Sequence, residues 1–241
     1  MDSDEPIDIS FNFRSDTPPG RDPDAHSPTL RRYHKLLWSK PLPSGEMFEL
    51  VDTMPGIYLH HRSQLGEFRL TSDGVIATFR KEARISHILE QIPGEVATFR
   101  SIGSKIGGRI VFPGVKVDGQ MTINGARGCN HYIKDRFDLT LECIRRHYLG
   151  EASPLSGVLA RYANFLQLFG DFRGYVEFFL LQDLVNEDCS AVRFFAPFED
   201  FVPWPVPDSL AAYLDYRALA IGFIEARNQR ILSGWAGHRA G

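Results

Sequence analysis

The chain has 241 residues, of which 43% are hydrophobic and 24% are charged, and its formal net charge at pH 7 is -3. This length and apolar content suit one large domain or two small ones with a proper hydrophobic core. The slightly acidic balance excludes a globally basic nucleic-acid-binding protein, so any nucleic acid would need a local basic patch.

The cysteines Cys129, Cys143 and Cys189 are too few and too scattered to predict a disulfide framework or a zinc site. Such usage is typical of a reducing compartment, so we expect a cytoplasmic protein. The acidic N-terminus lacks an apolar core segment and predicts no signal peptide. No apolar run reaches the roughly 20 residues that a membrane-spanning helix needs, so we expect no membrane partner.

We predict a single globular domain over residues 8–232. Residues 1–7 are acidic and nearly free of apolar groups, which favours a disordered tail. The residues from 233 to 241 are expected to form a second, loose tail.

The N-terminal half shows mostly strand patterns. Alternating apolar residues predict a strand at 7–14, and the Ser27-Pro28 pair predicts the start of a helix that ends near Trp38. Short apolar runs with short links predict antiparallel strands at 47–52, 57–61 and 66–70. Helical spacing then predicts helices at 75–91 and 95–102, before a strand at 109–112.

The C-terminal half shows mostly helical patterns. A helix from about Asp135 to Tyr148 is indicated by apolar residues at helical spacing, followed by helices at 153–170 and 172–184. A strand at 191–195, an extended connector at 197–207 and a last helix at 208–232 complete the chain. We therefore predict an α+β fold, with a mainly antiparallel N-terminal sheet packed against a C-terminal helical layer; a doubly wound α/β fold is the alternative.

A polar stretch, which we expect to be a glycine-containing loop leading into the helix from Asp135, is the first candidate site. Several kinds of polar side chain fall within a few positions of one another. They include amides that can hydrogen-bond to a ligand, cations that can bind an anion, and a carboxylate. They are Asn124, Arg127, Asn130, His131, Lys134, Asp135 and Arg136. In the structural alternative, Asp135 caps the helix, Asn130 shapes a turn, and the arginines pair with acids.

Two further regions carry candidate charges. The helix after Ser27 presents Arg31, Arg32 and Lys35, which form either a solvated basic face or a phosphate-contact surface. The loop at 15–25 carries aspartates, one of which the fold could bring to the same cleft as the polar stretch.

Motifs for bound cofactors are missing from the sequence. It lacks the G-x-x-x-x-G-K-[ST] loop, the G-x-G-x-x-G fingerprint and the G-x-S-x-G nucleophile elbow. His60 and His61 are adjacent on a predicted strand and would face opposite sides, which disfavours a metal pair. We therefore expect no cofactor and no metal.

Several runs resemble a bacterial domain-of-unknown-function family over about residues 8–231. They are FNFR at 11–14, SPTLRRYHKLLWSK at 27–40, TIN at 122–124, ARG at 126–128 and DRFDLTL at 135–141. The resemblance implies kinship with anti-phage DNA glycosylases, which remove glucosylated hydroxymethylcytosine from phage DNA and leave abasic sites. The chain lacks the G-Q-D-P-Y motif of common uracil-DNA glycosylases, so any kinship with that group is distant.

Under that activity, the candidate residues take specific roles. Asp135 or Asp138, or a carboxylate from 16–24, would stabilise the positive charge on the sugar and position water. Asn124 and His131 would bond to or protonate the base, and Tyr132 or Tyr58 would stack on it. The expected contacts to DNA are Arg31, Arg32, Lys35, Lys105, Arg109, Arg127, Asn130, Lys134 and Arg136.

Other classes of function remain open. Another N-glycosidic enzyme, such as an ADP-ribosyl transferase or a glycosidase of free nucleosides, would use the same oxocarbenium chemistry. A non-enzymatic protein that binds a partner through its Phe-rich helical half would instead show an exposed apolar patch. A covalent role for Lys134 is a further option within the enzyme class.

Overall fold

The structure is a computed structural model that describes residues 6–53 and 57–238, with side chains through residue 234. The predicted α+β class is confirmed, since antiparallel sheets come mainly from the N-terminal half and helices dominate the C-terminal half. Every strand pairing in the described ranges is antiparallel, so the α/β alternative is wrong.

Two antiparallel sheets form in the first half of the chain. A small sheet pairs β1 (Lys40–Pro41) with β2 (Met47–Phe48). The larger sheet has the order β3-β4-β5-β6. Its strands are β3 (Val51–Asp52), β4 (Leu59–Ser63), β5 (Gly66–Gly74) and β6 (Arg109–Pro113).

Four of the described helices have ten or more residues, and the others are shorter. Those of the first half are α1 (Pro23–His26), α2 (Pro28–Trp38), α3 (Ser86–Leu89) and α4 (Pro93–Ile102). Those of the second half are α5 (Ile123–Cys129), α6 (Phe137–Leu149), α7 (Ser156–Arg161), α8 (Ala163–Gln167), α9 (Phe172–Phe178) and α10 (Leu210–His238). Short 3-10 turns lie at Ala83–Ile85, Ile106–Gly108 and Gln182–Leu184.

The main hydrophobic core lies between the larger sheet and the helices of the second half. Every residue of β6 is buried, because this strand lies next to β5 and also under the helical layer. The phenylalanines concentrate here, with Phe169, Phe178 and Phe179 in mutual ring contact. Burial of such rings removes large apolar areas from water and holds the two halves together.

The predicted strand at 7–14 is wrong, although its apolar residues are buried. Asp8 accepts a hydrogen bond from the Ser10 amide at 2.8 Å, and Asn12 accepts one from the Arg14 amide at 3.0 Å. These side-chain turns compete with a strand ladder. Ile7, assigned by sequence to the tail at 1–7, is buried with Phe13 in a second cluster beside α2; residues 1–5 lie outside the described ranges.

The predicted helix at 75–91 is also wrong over most of its length. The Val75 amide donates to Gly108 O at 3.0 Å, and the Ala77 amide donates to the Tyr216 hydroxyl at 2.9 Å. Phe79 has a φ of 53°, which a helix does not allow. Tertiary partners have taken the backbone groups that a helix would use, and only the turn Ala83–Ile85 and α3 remain helical.

The expected polar loop before Asp135 contains a helix, α5. Thr122 caps it by accepting from the Gly125 amide at 3.2 Å, and Ile123 and Arg127 bury one face. The next helix, α6, begins at Phe137 and not at Asp135, because Lys134 and Asp135 have φ values of 49° and 65°.

Other predicted boundaries also shift. The helix predicted at 153–170 is two helices, α7 and α8, although Gly170 ends the segment with a φ of 75° as expected. The helix predicted at 172–184 stops at Phe178, and the strand predicted at 191–195 is a single bridge between Val185 and Val192. The last helix, predicted to end at 232, continues to His238.

The C-terminal helix α10 packs closely against the turn Ile106–Gly108, which leads into β6. Asn228 accepts a hydrogen bond from the Gly107 amide at 2.8 Å. A Cβ at Gly107 would lie 2.5 Å from that same Asn228 oxygen and 2.6 Å from the carbonyl oxygen of Ile224. Only glycine allows this close approach of the 3-10 turn to the helix.

We predict that Gly107→Ala destabilises the chain by about 1–3 kcal/mol, because the carbonyl of Ile224 is helical backbone and cannot move away. Urea unfolding would measure the loss. As a control, Gly222→Ala on an exposed, uncrowded position of α10 should stabilise by about 0.5–1 kcal/mol. Equal effects of the two substitutions would contradict the close packing of Gly107 against α10.

Candidate active site

Three carboxylates and two buried arginines converge where β5 ends. The register places Asp73 opposite Ile110 and Gly74 opposite Arg109, so the start of β6 lies beside the end of β5. Asp73 is buried, and an arginine from another element approaches it. The site is therefore built on the most deeply packed strands of the sheet.

Arg127 organises this site from the last turn of α5. Its guanidinium is fully buried and donates from Nη1 to the Asp73 carboxylate and, at 2.9 Å, to Gly74 O. Nη2 donates to Asp135 O at 2.7 Å, and Nε donates to the Thr140 hydroxyl at 3.1 Å. One side chain thus links β5, the α5–α6 connection and α6 through charge-assisted hydrogen bonds.

Asp135 presents a carboxylate at the edge of this network. Its side chain is 48% exposed, but the inner oxygen Oδ1 is buried without a hydrogen bond, 3.4 Å from Arg127 Nη1. Burial raises the pKa of Asp135 to about 6; Arg127 opposes the rise and Asp73 adds to it. A strained backbone, with φ of 65°, holds the side chain there.

Asp24 brings a third carboxylate from the N-terminal loop. Asp16 and Asp22 of that loop are used as caps, since they accept from the Thr29 and Asp24 amides. The Asp24 carboxylate instead accepts from Arg109 Nη1. Burial raises the pKa of Asp24 to about 6, with Arg109 opposing the shift and Asp73 adding to it.

The arrangement suits acid–base chemistry near neutral pH. Asp73 acts electrostatically on both Asp24 and Asp135, the two carboxylates whose pKa is raised. Groups with a pKa near 6 exchange protons readily under physiological conditions. Asp135 is the one of the two with the more exposed side chain, and it is therefore the group placed to meet a ligand.

Basic residues surround the carboxylates on the outer side. Lys81 acts electrostatically on Asp135, and Arg14 interacts with Asp24. Arg14 and Arg100 repel each other, as do Arg100 and Arg80. The site therefore has acids at its base and cations around it.

Trp204 forms an aromatic wall beside Lys134. Its amide donates to His131 O at 2.6 Å, and its φ is 60°. Lys134 Nζ lies 3.8 Å and the Arg84 guanidinium 4.2 Å from the centre of the ring. The connector at 197–207 is thus attached to the segment that carries Asp135.

A buried histidine and serine next to Asp73 do not form a nucleophilic pair. The Trp38 indole N–H donates to His34 Nδ1 at 3.0 Å, so the proton of the neutral ring is on Nε2, which contacts Ser72 Oγ at 3.0 Å. Nε2 is therefore a donor and cannot take the serine proton. Burial lowers the pKa of His34 to about 3, which keeps the ring neutral.

The predicted catalytic residues separate into different environments. Asp135 lies in the site. Asp138 is fully buried, bonds to Arg136 at 2.5 Å and accepts from the Phe195 amide at 2.9 Å, so it ties α6 to the following segment. His131 is exposed and its ring contacts that of Tyr132 at a tilt, and Asn124 lies half-buried one turn before Arg127 on α5.

Most residues of the polar stretch that are predicted to contact DNA bond instead to other residues of the chain. Arg127 and Arg136 are buried in ion pairs, as the structural alternative expected. Asn130 shapes a turn, since it accepts from the Tyr132 amide and donates to Pro154 O. Lys134 pairs with Glu82 at 2.7 Å.

The remaining predicted contacts lie on other elements. Arg31 and Lys35 of α2 both pair with Asp52, and Arg32 lies over the Tyr33 ring. Arg109 is buried against Asp24, whereas Lys105 is half-buried before the turn that precedes β6.

Asp73 is the site residue that sequence reasoning missed. The predicted strand ended at Leu70, but β5 continues to Gly74. The polar run Ser72-Asp73-Gly74 directly after an alternating strand was the available signal. It was weak, because a polar run after a strand is more often a turn.

Comparison with protein families finds a match over residues 7–231. The chain belongs to the family of unknown function DUF6994. The predicted resemblance to a domain-of-unknown-function family is thus confirmed at the level of the family, while the kinship with DNA glycosylases stays a prediction. No curated protein and no solved structure matches the chain.

Within the described ranges, no group of three or more histidine, cysteine, aspartate or glutamate side chains is arranged to hold a metal ion. Of the helices described, none has both the length and the apolar character needed to cross a bilayer.

We predict that Arg127→Met destabilises the chain by about 3–5 kcal/mol, because it leaves the buried Asp73 carboxylate without its partner. Urea unfolding would measure the change. The control Arg62→Met removes a side chain that is 72% exposed and paired with Glu67, and it should cost less than about 1 kcal/mol. Similar losses in both variants would show that Arg127 does not organise the site.

We predict that Asp135→Asn changes how stability depends on pH. The pKa of Asp135 is raised from 3.8 to about 6 on folding, so its protonation stabilises the fold below pH 4 and this contribution is lost as pH rises through 6. The amide cannot lose a proton. The variant should therefore become more stable relative to the parent chain between pH 4 and 7, and a constant difference in unfolding free energy would contradict the raised pKa.

Proposed function

We propose that this chain is a DNA glycosylase in which Asp135 acts as the catalytic carboxylate. The observation that carries the proposal is the half-exposed carboxylate of Asp135, held by Arg127 beside Asp73 and given a pKa of about 6 by burial. N-glycosidic cleavage builds positive charge on the sugar, and a carboxylate at this position stabilises that charge.

The reaction balances with water as the only co-reactant. The bond from the sugar C1′ to the base nitrogen breaks, and its electron pair leaves with the base, which takes up a proton. Water adds its oxygen to C1′ and gives a proton to the Asp135 carboxylate, which releases it to solvent, while solvent supplies the proton that the base takes up. The products are the free base and an abasic site.

Asp24 and Asp73 support this chemistry without reacting themselves. Asp73 neutralises Arg127, and its negative charge helps to keep the pKa of Asp135 high enough for Asp135 to accept a proton from water. Asp24 neutralises Arg109 in the same way. Two ion pairs thus hold the base of the site rigid while one carboxylate remains open to a ligand.

The proposal also includes DNA as the substrate polymer and a modified cytosine as the base. Cations around the site, including Lys81 next to Asp135, favour an anionic substrate such as DNA. A base removed from the duplex would meet Trp204, an exposed aromatic ring next to Lys134. The glucosylated hydroxymethylcytosine of phage DNA is the proposed base, on the resemblance described above, and would place the chain in anti-phage defence.

The test is base release from duplex oligonucleotides that contain cytosine, hydroxymethylcytosine or its glucosylated form. We expect alkali-sensitive breaks and free base from the glucosylated duplex. The absence of abasic sites on every duplex at stoichiometric enzyme would contradict the proposal. Release from free nucleosides alone would show that DNA is not the substrate.

We predict that Asp135→Asn lowers the rate of base release by about 10²–10⁴-fold, because the amide can neither stabilise the sugar cation nor accept a proton from water. The matched control is Asp183→Asn, which removes a carboxylate paired with Arg230 at 2.5 Å on α10. Wild-type activity in a folded Asp135→Asn variant would assign the chemistry to another acid, and Asp24→Asn would then be measured.

We also predict that activity falls as the pH is lowered through about 6. Protonation of Asp135 removes the negative charge that the reaction uses, and its pKa is about 6. Well below that pH, kcat/KM should drop by about tenfold for each pH unit. An activity that is constant from pH 7 to pH 4 would contradict a catalytic role for this group.

A further inference from the structure

Three segments of the chain bring arginines together on one side of the carboxylates. The Phe13 amide donates to Ser104 O at 3.0 Å, and Asn12 donates to the Ser101 hydroxyl at 3.0 Å, so the N-terminal segment lies on the end of α4. Gly103 and Gly108 are in backbone contact, which brings β6 to the same place. Arg14, Arg100 and Arg109 come from these three segments.

The side chain of Arg14 is oriented by a neutral partner. Arg14 Nε donates to the Ser104 hydroxyl at 3.1 Å, and that hydroxyl donates in turn to Arg100 O at 2.9 Å. Among the residues that the structure describes, no carboxylate forms an ion pair with Arg14, Arg80 or Arg100. The serine therefore orients Arg14 without neutralising it.

The cluster carries an excess of positive charge. Arg14 is repelled by Arg100 and Arg109, and Arg100 is repelled by Arg80. Asp24 pairs with Arg109, and Asp22 and Asp24 attract Arg14 without forming an ion pair with it. Like charges at close range cost free energy, which a bound anion would recover.

We propose that Arg14, Arg100 and Arg109 form a phosphate-binding subsite next to the Asp24–Asp73–Asp135 carboxylates. A tetrahedral phosphate group offers several oxygens to the planar forks of two or three guanidinium groups. The neighbouring carboxylates accept hydrogen bonds, so they suit the polar groups of a nucleoside attached to that phosphate. The ligand is therefore a phosphate ester of a nucleoside.

This inference rests on the proposed function, which identifies the sugar of the ligand. It adds to that function a site that binds the phosphate of the substrate. The phosphate would anchor the substrate while Asp135 faces the sugar carbon. Binding energy from a group that does not react positions the bond to be broken. A phosphate held here would thus restrict the enzyme to phosphorylated substrates, either a DNA backbone or a free nucleotide.

The first measurement is calorimetric titration of the full chain with inorganic phosphate at pH 7.5, with chloride at matched ionic strength as the reference. We expect saturable binding of phosphate and none of chloride. Phosphate heats that do not exceed those of chloride would overturn the subsite. This result does not depend on any variant being folded.

The second measurement uses Arg14→Gln and Arg100→Gln. Each should weaken phosphate binding by about tenfold or more, because a charge-assisted hydrogen bond is lost. The matched control is Arg173→Gln, whose side chain is 50% exposed on α9 and lies 3.9 Å from Glu177. Phosphate affinity that is unchanged in folded Arg14→Gln and Arg100→Gln variants would overturn the assignment of these residues.

Competition against inorganic phosphate then identifies the source of the group. Deoxycytidine monophosphate, deoxycytidine and an oligodeoxynucleotide without terminal phosphates are compared. Competition by the oligonucleotide assigns the subsite to a phosphodiester, and competition by the monophosphate alone assigns it to a free nucleotide. If deoxycytidine competes as well as both phosphorylated ligands, the subsite does not recognise phosphate.

Failure of the subsite and failure of the proposed function are distinguishable. Asp135→Asn should keep phosphate binding but lose base release. Phosphate binding without base release by the parent chain would leave the subsite in place and remove the glycosylase activity. Base release without phosphate binding would keep the activity and remove the subsite.

Discussion

The rest of the structure depends on the burial of the Arg127 guanidinium. A buried cation is tolerated only when charge and hydrogen bonds compensate its lost hydration. The partners of Arg127 come from β5, from the connection before α6 and from α6 itself. The sheet and the helical layer are therefore joined by a polar link inside an apolar core. That link also sets the position of Asp135, whose carbonyl accepts from the same guanidinium.

The charged groups of the site form an inner and an outer layer with different roles. In the inner layer, Asp73 and Asp24 neutralise Arg127 and Arg109, and these pairs are largely buried. In the outer layer, Asp135 Oδ1 accepts no hydrogen bond although Arg127 Nη1 lies 3.4 Å away, and Arg14 forms no ion pair with any described carboxylate. Inner pairs hold the geometry, while outer groups keep their charge available for a ligand. The two carboxylates at the base of the site are thus neutralised by their arginine partners.

Much of the site is held by backbone that departs from regular structure. Lys134 and Asp135 have positive φ, as does Phe79 in the segment after β5. Such conformations cost free energy and persist because tertiary contacts compensate for them. The Tyr216 hydroxyl on α10 accepts from the Ala77 amide, and its ring lies 5.1 Å from Phe79. The long C-terminal helix thus stabilises the irregular segments around the carboxylates.

The amino-acid sequence by itself determined the α+β class, most strands of the sheet, the helix after Ser27 and the apolar stripe of α6. These features follow from local patterns, because the spacing of apolar side chains can be read from the sequence. It also indicated Asp135 and the loop that contains Asp24. Only the tertiary structure decided that Asp73 joins them and that Arg127 is buried. It also decided that the segment at 75–82 is not helical, because its amides bond to distant residues. Ion pairs and hydrogen bonds between positions far apart leave no periodic signal, so one sequence could not reveal which charges meet.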